Sequence, residues 1–288
     1  MGKFKVIAAG NTSVGMRRSQ NEDAYFSDAE MGLHFVADGM GGHAAGEVAS
    51  RTAVEVISEF VSNFQGDDDI TWPFGVEEHR TRAENLLISA IKLANKKICE
   101  MARENPENKG MGTTIAAVYI DWDVAVIAHV GDSRVYRFRG ADLDCLTTDH
   151  TWVNEQLQRN IITEEEARNH RWKNVITRAL GNRDEIAVDI QQLQLQDGDL
   201  LLICSDGLTT MLDDEQVRKE IAEASGMKEG LEKMAEKLIQ SANDKGGFDN
   251  VSVILLECNN PNDTPTLELQ EELEKDSPET QKNFDDTR

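Results

Sequence analysis

Apolar residues recur along this chain with two periods. Short unbroken runs at 5–9, 33–37, 113–120, 124–130, 200–204 and 251–256, each bounded by Gly, Asp or Asn, predict buried strands. Residues 24–26, the alternating RVYRFR at 134–139 and residues 186–193 predict three more, with turns at 121–123, at Gly140 and at 197–199. Elsewhere the period is helical. Ala49, Ala53, Val56, Ile57, Phe60 and Phe64 place one apolar face on a helix over 48–64. Leu87, Ile91, Ala94, Ile98 and Met101 do the same over 82–104, closed by Asn105-Pro106. Two further helices are expected, one capped by Asp213 or Asp214 and running to 223, the other over 231–242 and ended by Gly246-Gly247.

Three stretches lack either period. Residues 65–80 carry the acidic run 67–69, Pro73 and two glycines, and read as a solvated loop. Residues 149–172 are polar and short-helical, with a capping box from Thr163 to Glu166, and are expected to form a flap at the edge of a site. His150 and His170 bracket that flap and read as surface or structural, while His129, inside an apolar run, reads as a hydrogen-bonded core histidine. Residues 259–288 combine three prolines, many acids and little to bury, so the domain is expected to span 1–258 and the tail to be disordered.

The predicted strands share one feature. The run at 33–37 stops at Asp38-Gly39 and continues through Gly41 and Gly42. The run at 124–130 ends at Gly131-Asp132, and that at 200–204 ends at Ser205-Asp206-Gly207. Asp249-Asn250 stands directly before 251–256, and Asn21-Glu22-Asp23 directly before 24–26. If these tips meet on one rim, several carboxylates crowd together. Two like charges about 4 Å apart repel by roughly 1–4 kcal/mol at effective dielectrics of 80 to 20, so such a cluster calls for cations. Oxygen ligands without His or Cys favour Mg²⁺ or Mn²⁺ over Zn²⁺.

Composition narrows the function. With 30 basic and 53 acidic residues the formal charge is −23, which disfavours nucleic acid and anionic membrane surfaces as partners. No apolar run approaches the ~20 residues of a membrane helix, and the N-terminal residues have neither a signal-peptide core nor a myristoylation pattern. Cys99, Cys145, Cys204 and Cys258 are isolated, which argues against a zinc site and fits reduced thiols in the cytoplasm. A phosphate-bearing substrate would have to be attracted locally, by bound metals and by an arginine. Arg17 and Arg18, in GMRRSQNED at 15–23, lie a few residues before an acid and are the candidates.

Seven motifs in order, GMRRSQNED, VADGMGGH at 36–43, GTT at 112–114, HVGDSRVYR at 129–137, ITRALG at 176–181, LLICSDGL at 201–208 and DNVSVI at 249–254, resemble those of the bacterial PPM (PP2C-type) metal-dependent protein serine/threonine phosphatases. The resemblance covers about 9–257. It implies an α+β fold, a four-layer αββα sandwich of two mainly antiparallel sheets flanked by helix pairs. It also implies hydrolysis of phosphoserine and phosphothreonine on phosphorylated proteins, the products of a Ser/Thr kinase, by a monomer holding two Mn²⁺ or Mg²⁺ ions and a possible third. Matched residue by residue, Asp38 bridges the two ions and the carbonyl of Gly39 helps hold the first. Asp206 and Asp249 hold the second, Asp132 a third, and Asp23 acts through the ions' waters. Arg18, five positions before Asp23, matches the phosphate-binding arginine, and that match separates it from Arg17, which reads as solvated.

One position departs from the family. Animal members have a histidine directly after the metal-binding Asp-Gly, proposed as general acid; here it is Met40, and His43 follows three residues later. No proton-donor role is given to His43. A catalytically silent scaffold on the same fold is the alternative reading, disfavoured because every motif acid and Arg18 are retained. A nucleotide cradle is a third, but DGMGGH lacks both the Lys-Ser/Thr of a P-loop and GxGxxG spacing.

Overall fold

A computed structural model describes residues 3–42, 45–65, 71–227 and 230–261. His43, the acidic run at 67–69 and the tail beyond Pro261 lie outside the described residues. In chain order the strands and helices are β1 Lys5–Ser13, β2 Asp23–Asp28, β3 Leu33–Met40, α1 Ala45–Gln65, α2 Arg82–Glu104, β4 Gly112–Thr113, β5 Ile115–Asp121, β6 Val124–Val130, β7 Arg134–Arg139, β8 Asp142–Cys145, α3 Trp152–Gln158, α4 Glu164–Arg168, β9 Asp189–Gln194, β10 Asp199–Cys204, α5 Asp206–Thr209, α6 Asp214–Gly226, α7 Leu231–Asp244 and β11 Val251–Asn259.

The long helix α2 shows why the local chain folds as it does. Thr81 accepts the N–H of Glu84 while Glu84 reaches back to the Thr81 N–H, so two orphan donors of the first turn are satisfied. Such a cap is worth about 1 kcal/mol. Leu87, Ile91, Ala94 and Ile98 are all buried on one face, and Asn105 breaks the helix before Pro106.

The strands form two sheets, ordered β1-β11-β10-β7-β8 and β2-β3-β5-β6-β9, with β4 added beside β3. Every pairing within them is antiparallel. Side chains alternate between two buried faces. On β3, Leu33, Phe35 and Ala37 pack under α1 and α2, and Val36 faces the other sheet. On β10, Leu200, Leu202 and Cys204 pack under α6 and α7, and Leu201 and Ile203 face inward. Central strands buried on both sides read as unbroken apolar runs, which is why the sequence showed runs rather than alternation. The result is the αββα sandwich that the resemblance implied.

Differences from expectation lie where polar chain is recruited by pairing. β1 continues to Ser13 because Asn11, Thr12 and Ser13 pair with Val253, Ser252 and Val251. The strand expected over 186–193 starts at Asp189, opposite His129. β8 and the single turn α5 were not foreseen. The final strand runs to Asn259, just beyond the expected boundary at 258. Among the described residues no helix is long and apolar enough to cross a membrane, and all four cysteines are free.

Candidate metal centre

The inward-facing row of each central strand is apolar in mid-strand and turns polar at one end of the sandwich. Two residues beyond Val36 on β3 stands Asp38, and its cross-strand partner on β2 is Asp23. Two residues beyond Ile203 is Ser205, and two before Ile254 is Ser252. Period-2 geometry therefore delivers these polar groups to one rim. Both serines donate to one oxygen of Asp23, Ser205 at 2.8 Å and Ser252 at 2.7 Å, and bind that buried carboxyl to the other sheet.

Asp38 is the centre of the cluster. Burial pushes its carboxyl well above the usual range, and Asp23, Asp206, Asp132 and Asp249 add to the rise. Burial likewise raises Asp23 to about 7, Asp132 to about 8 and Asp206 to about 6. The neighbouring Asp38 carboxyl offsets part of the rise at Asp206. The backbone of Asp38 is pinned: its N–H donates to Thr114 Oγ1 at 3.1 Å, and its carbonyl accepts from Thr113 Oγ1 and the Thr114 N–H, both at 2.9 Å. Thr114 Oγ1 is itself 2.6 Å from Ser133 Oγ, beside Asp132.

The glycines after these aspartates serve a packing purpose. A Cβ on Gly39 would lie 2.2 Å from the Gly46 carbonyl oxygen, and one on Gly207 would lie 1.9 Å from that of Asn250. Only glycine lets the strand tips abut this closely.

Arg18 donates to Asp249 Oδ2 at 2.7 Å and remains half exposed. Its loop is held by Asn250, whose Nδ2 donates to the carbonyls of Val14 and Gln20 and whose Oδ1 accepts the Glu22 N–H. All the expected site side chains, Asp23, Asp38, Asp132, Asp206, Asp249 and Arg18, thus converge on one rim. Gly39 stands beside them, paired with Thr113 across β3 and β4.

The donor set fits hard divalent cations. Asp23 Oδ1, Asp132 Oδ1 and Glu22 Oε1 are buried and accept no hydrogen bond. Buried, unpartnered carboxylate oxygens are costly unless a cation meets them. A second cluster has a different character: ligand atoms of His129, His150 and Asp189 lie within 4.8 Å of one another. There Arg178 already donates to Asp189 Oδ1 at 2.8 Å, and His129 Nε2 is 2.9 Å from the Thr148 carbonyl oxygen. His150 pairs with both backbone groups of Gly131, its Nδ1 accepting at 3.0 Å and its own N–H donating at 2.8 Å. It thereby fixes the residue before Asp132. Both His129 and His150 are structural, as expected.

Residues 149–172 carry the two short helices α3 and α4. Trp152 of α3 stacks on His170 at 4.7 Å and meets Trp172 edge-on at 4.9 Å, which ties the two ends of this flap together. Arg134 grips Asp149 at the flap's root through two hydrogen bonds of 2.8 and 2.7 Å. Between flap and rim is a cavity of about 550 Å³, with Asp132 and Asp206 on one wall and Asn154, Arg168 and Lys173 on the other.

Sequence reasoning missed the supporting residues. Glu22, Asn250, Ser205, Ser252 and His150 hold or border the acids, yet only the first three stand next to a motif aspartate, and nothing local pointed to Ser252 or His150.

This rim on this sandwich defines a class of protein, and comparison with known proteins agrees. The profile of the family Protein phosphatase 2C matches residues 13–245, and the chain belongs to that family. It is 38% identical over 251 residues to the serine/threonine phosphatase stp of Listeria innocua, covering 86% of this chain and 94% of that one. It is 34% identical over 251 residues to protein phosphatase PhpP of Streptococcus pneumoniae, covering 86% and 96%. The solved serine/threonine phosphatase PstP/Ppp of Mycobacterium tuberculosis superposes with a TM-score of 0.76 at 32% identity, over 88% of this chain and 99% of that one. The catalytic domain of PstP solved in complex with two manganese ions gives a TM-score of 0.74 at 31% identity, over 90% and 100%.

Proposed function

We propose that this chain hydrolyses phosphoserine and phosphothreonine esters on proteins, using Mn²⁺ or Mg²⁺ held at the acidic rim. The observation that carries this reading is the convergence of Asp23, Asp38, Asp132, Asp206 and Asp249 beside Arg18, with no His or Cys among them. In this reading Asp38, with the Gly39 carbonyl, Asp206 and Asp249, would hold two ions, Asp132 would serve a third, and Asp23 would act through their waters. Bound there, the ions would neutralise phosphoryl charge and acidify a water for in-line attack.

The protein's own groups do the positioning. Thr113 and Thr114 hold the Asp38 backbone, Ser205 and Ser252 orient Asp23, and His150 fixes the turn before Asp132. Arg18 orients the phosphate. Its guanidinium is paired with Asp249, so a phosphate at Arg18 and a cation at Asp249 would each replace one partner of that pair. Four free cysteines, three of them buried, support a reducing cytoplasmic setting. The substrates are the products of a Ser/Thr kinase, and the working form is a monomer.

Manganese-dependent turnover of p-nitrophenyl phosphate tests the reading. Its absence in folded protein would favour the silent scaffold. Arg18→Ala should raise KM for phosphorylated substrates by about tenfold, the worth of a lost charge-assisted contact, with kcat less affected. An unchanged KM in steady-state kinetics would remove Arg18 from the phosphate site.

A further inference from the structure

The loop that carries Arg18 and the loop that carries Asp249 are locked to each other. The Met16 N–H donates to the Gly247 carbonyl at 2.7 Å, Asn250 Nδ2 donates to Val14 O at 3.0 Å, and Arg18 pairs with Asp249 at 2.7 Å. On this fixed base the chain exposes large apolar side chains: Met16 is 66% exposed and Phe248 56%. They form one surface. Met16 lies so close over Gly247 that a Cβ there would meet its Cγ at 2.8 Å, and Phe248 is the next residue along. The Arg17 guanidinium stands 5.8 Å from the Phe248 ring centroid, and the ring stays more than half exposed.

Isolated exposed apolar residues are ordinary. Adjacent ones on an immobilised base beside a site mark a contact surface. Nothing in the fold calls for them. Met16 and Phe248 belong to no core cluster, and it is the Met16 backbone, not its side chain, that ties the two loops together.

We propose that Met16 and Phe248 form a docking plate for an apolar residue flanking the phosphorylated Ser or Thr of a protein substrate. This deepens the phosphatase reading and rests on it. Continuity with the rim identifies the occupant: Met16 is two residues from Arg18, and Phe248 is next to Asp249. An extended substrate advances about 3.3 Å per residue, so with its phosphate against Arg18 the neighbouring side chains pass over this surface. A Leu or Phe side chain removed from water favours binding in proportion to the apolar area covered. A half-covered one gives about tenfold in kcat/KM.

The test uses the full chain with Mn²⁺ and pairs of phosphothreonine peptides identical except for Leu or Ser beside the phosphoresidue. Wild type should favour the Leu peptide by about tenfold, chiefly through KM. The double variant Met16→Ser/Phe248→Ser should lose that preference while its turnover of p-nitrophenyl phosphate stays within about twofold of wild type, since this small ester has no flanking residue to dock. Because both side chains are exposed, the variant should keep its melting temperature. Wild type that turns over p-nitrophenyl phosphate but treats the two peptides alike would overturn the proposal alone. So would a double variant that retains the preference, or concentration-dependent dimerisation of wild type abolished by the same substitutions, which would assign the surface to a second copy. Failure of wild type to turn over p-nitrophenyl phosphate with manganese would overturn the phosphatase reading and this proposal together.

Discussion

Replacing Asp38 by Asn should lower manganese-dependent kcat by at least about a thousandfold, some 4 kcal/mol in barrier, and at the same time raise the melting temperature of metal-free protein. The two effects share one cause. Asp38 sits among Asp23, Asp206, Asp132 and Asp249, so its carboxylate is the charge that suffers most from being there. Asn keeps the shape and the backbone hydrogen bonds to Thr113 and Thr114, while removing the repulsion. The same change would take an anionic ligand from a cation bound at the rim. An ordinary surface acid would behave otherwise, shifting stability by no more than about 0.5 kcal/mol and activity not at all. Steady-state kinetics and thermal denaturation after chelation check both halves. Retention of substantial turnover at saturating manganese, or a fall in the metal-free melting temperature, would remove Asp38 from the centre.

Opposed effects on activity and stability explain which parts of this molecule were legible in its sequence. Where local chemistry and fold agree, reading was close. The bounds 82–104 coincide with α2, because Thr81, Glu84 and Asn105-Pro106 punctuate it. Asp213 proved to be the cap of α6, its side chain accepting from the Gln216 N–H. β8 was invisible because DLDC is a mostly exposed edge strand with no apolar period to betray it. The acids could be picked out by their places at strand ends, but their convergence could not. It depends on β2 pairing with β3 so that Asp23 faces Asp38, and on β10 and β11 bringing Ser205 and Ser252 to the same level. Register is set by long-range pairing, and a slip of one residue would turn Asp38 toward α1 instead. The resemblance to a family supplied the architecture that periodicity could not. It said nothing of Asn250 clamping the arginine loop or of His150 pairing with Gly131, since both follow from contacts between segments more than a dozen residues apart.

Metal-free protein should grow less stable as pH rises from 6.5 to 8, and manganese should reverse that trend. Asp23, Asp132 and Asp206 have folded-state pKa values of about 7, 8 and 6, above the unfolded value of 3.8, and Asp38 is raised as well. Between the unfolded and folded values the native state keeps protons that the unfolded chain has released. Stability from this source is therefore complete at low pH and is lost as pH climbs through the folded values. Each such proton contributes about 1.4 kcal/mol per pH unit. Histidines oppose this lower down. Burial lowers His34 to about 4 and lowers His129 and His150, so they add stability with rising pH, but only up to the unfolded histidine value of 6.5. Above 6.5 they are neutral in both states and the buried acids set the slope. Manganese requires those carboxyls ionised, so protons compete with it and its stabilisation grows over the same interval. At a hundredfold excess over Kd it should add about 2.7 kcal/mol, or roughly 5–10 °C in Tm for a chain of this size. Thermal melts at pH 6.5, 7.2 and 8.0, with EDTA and with Mn²⁺, should therefore diverge. Parallel curves, or a metal-free Tm that rises across the interval, would mean that the acids do not share the crowded, water-poor rim on which the metal chemistry depends.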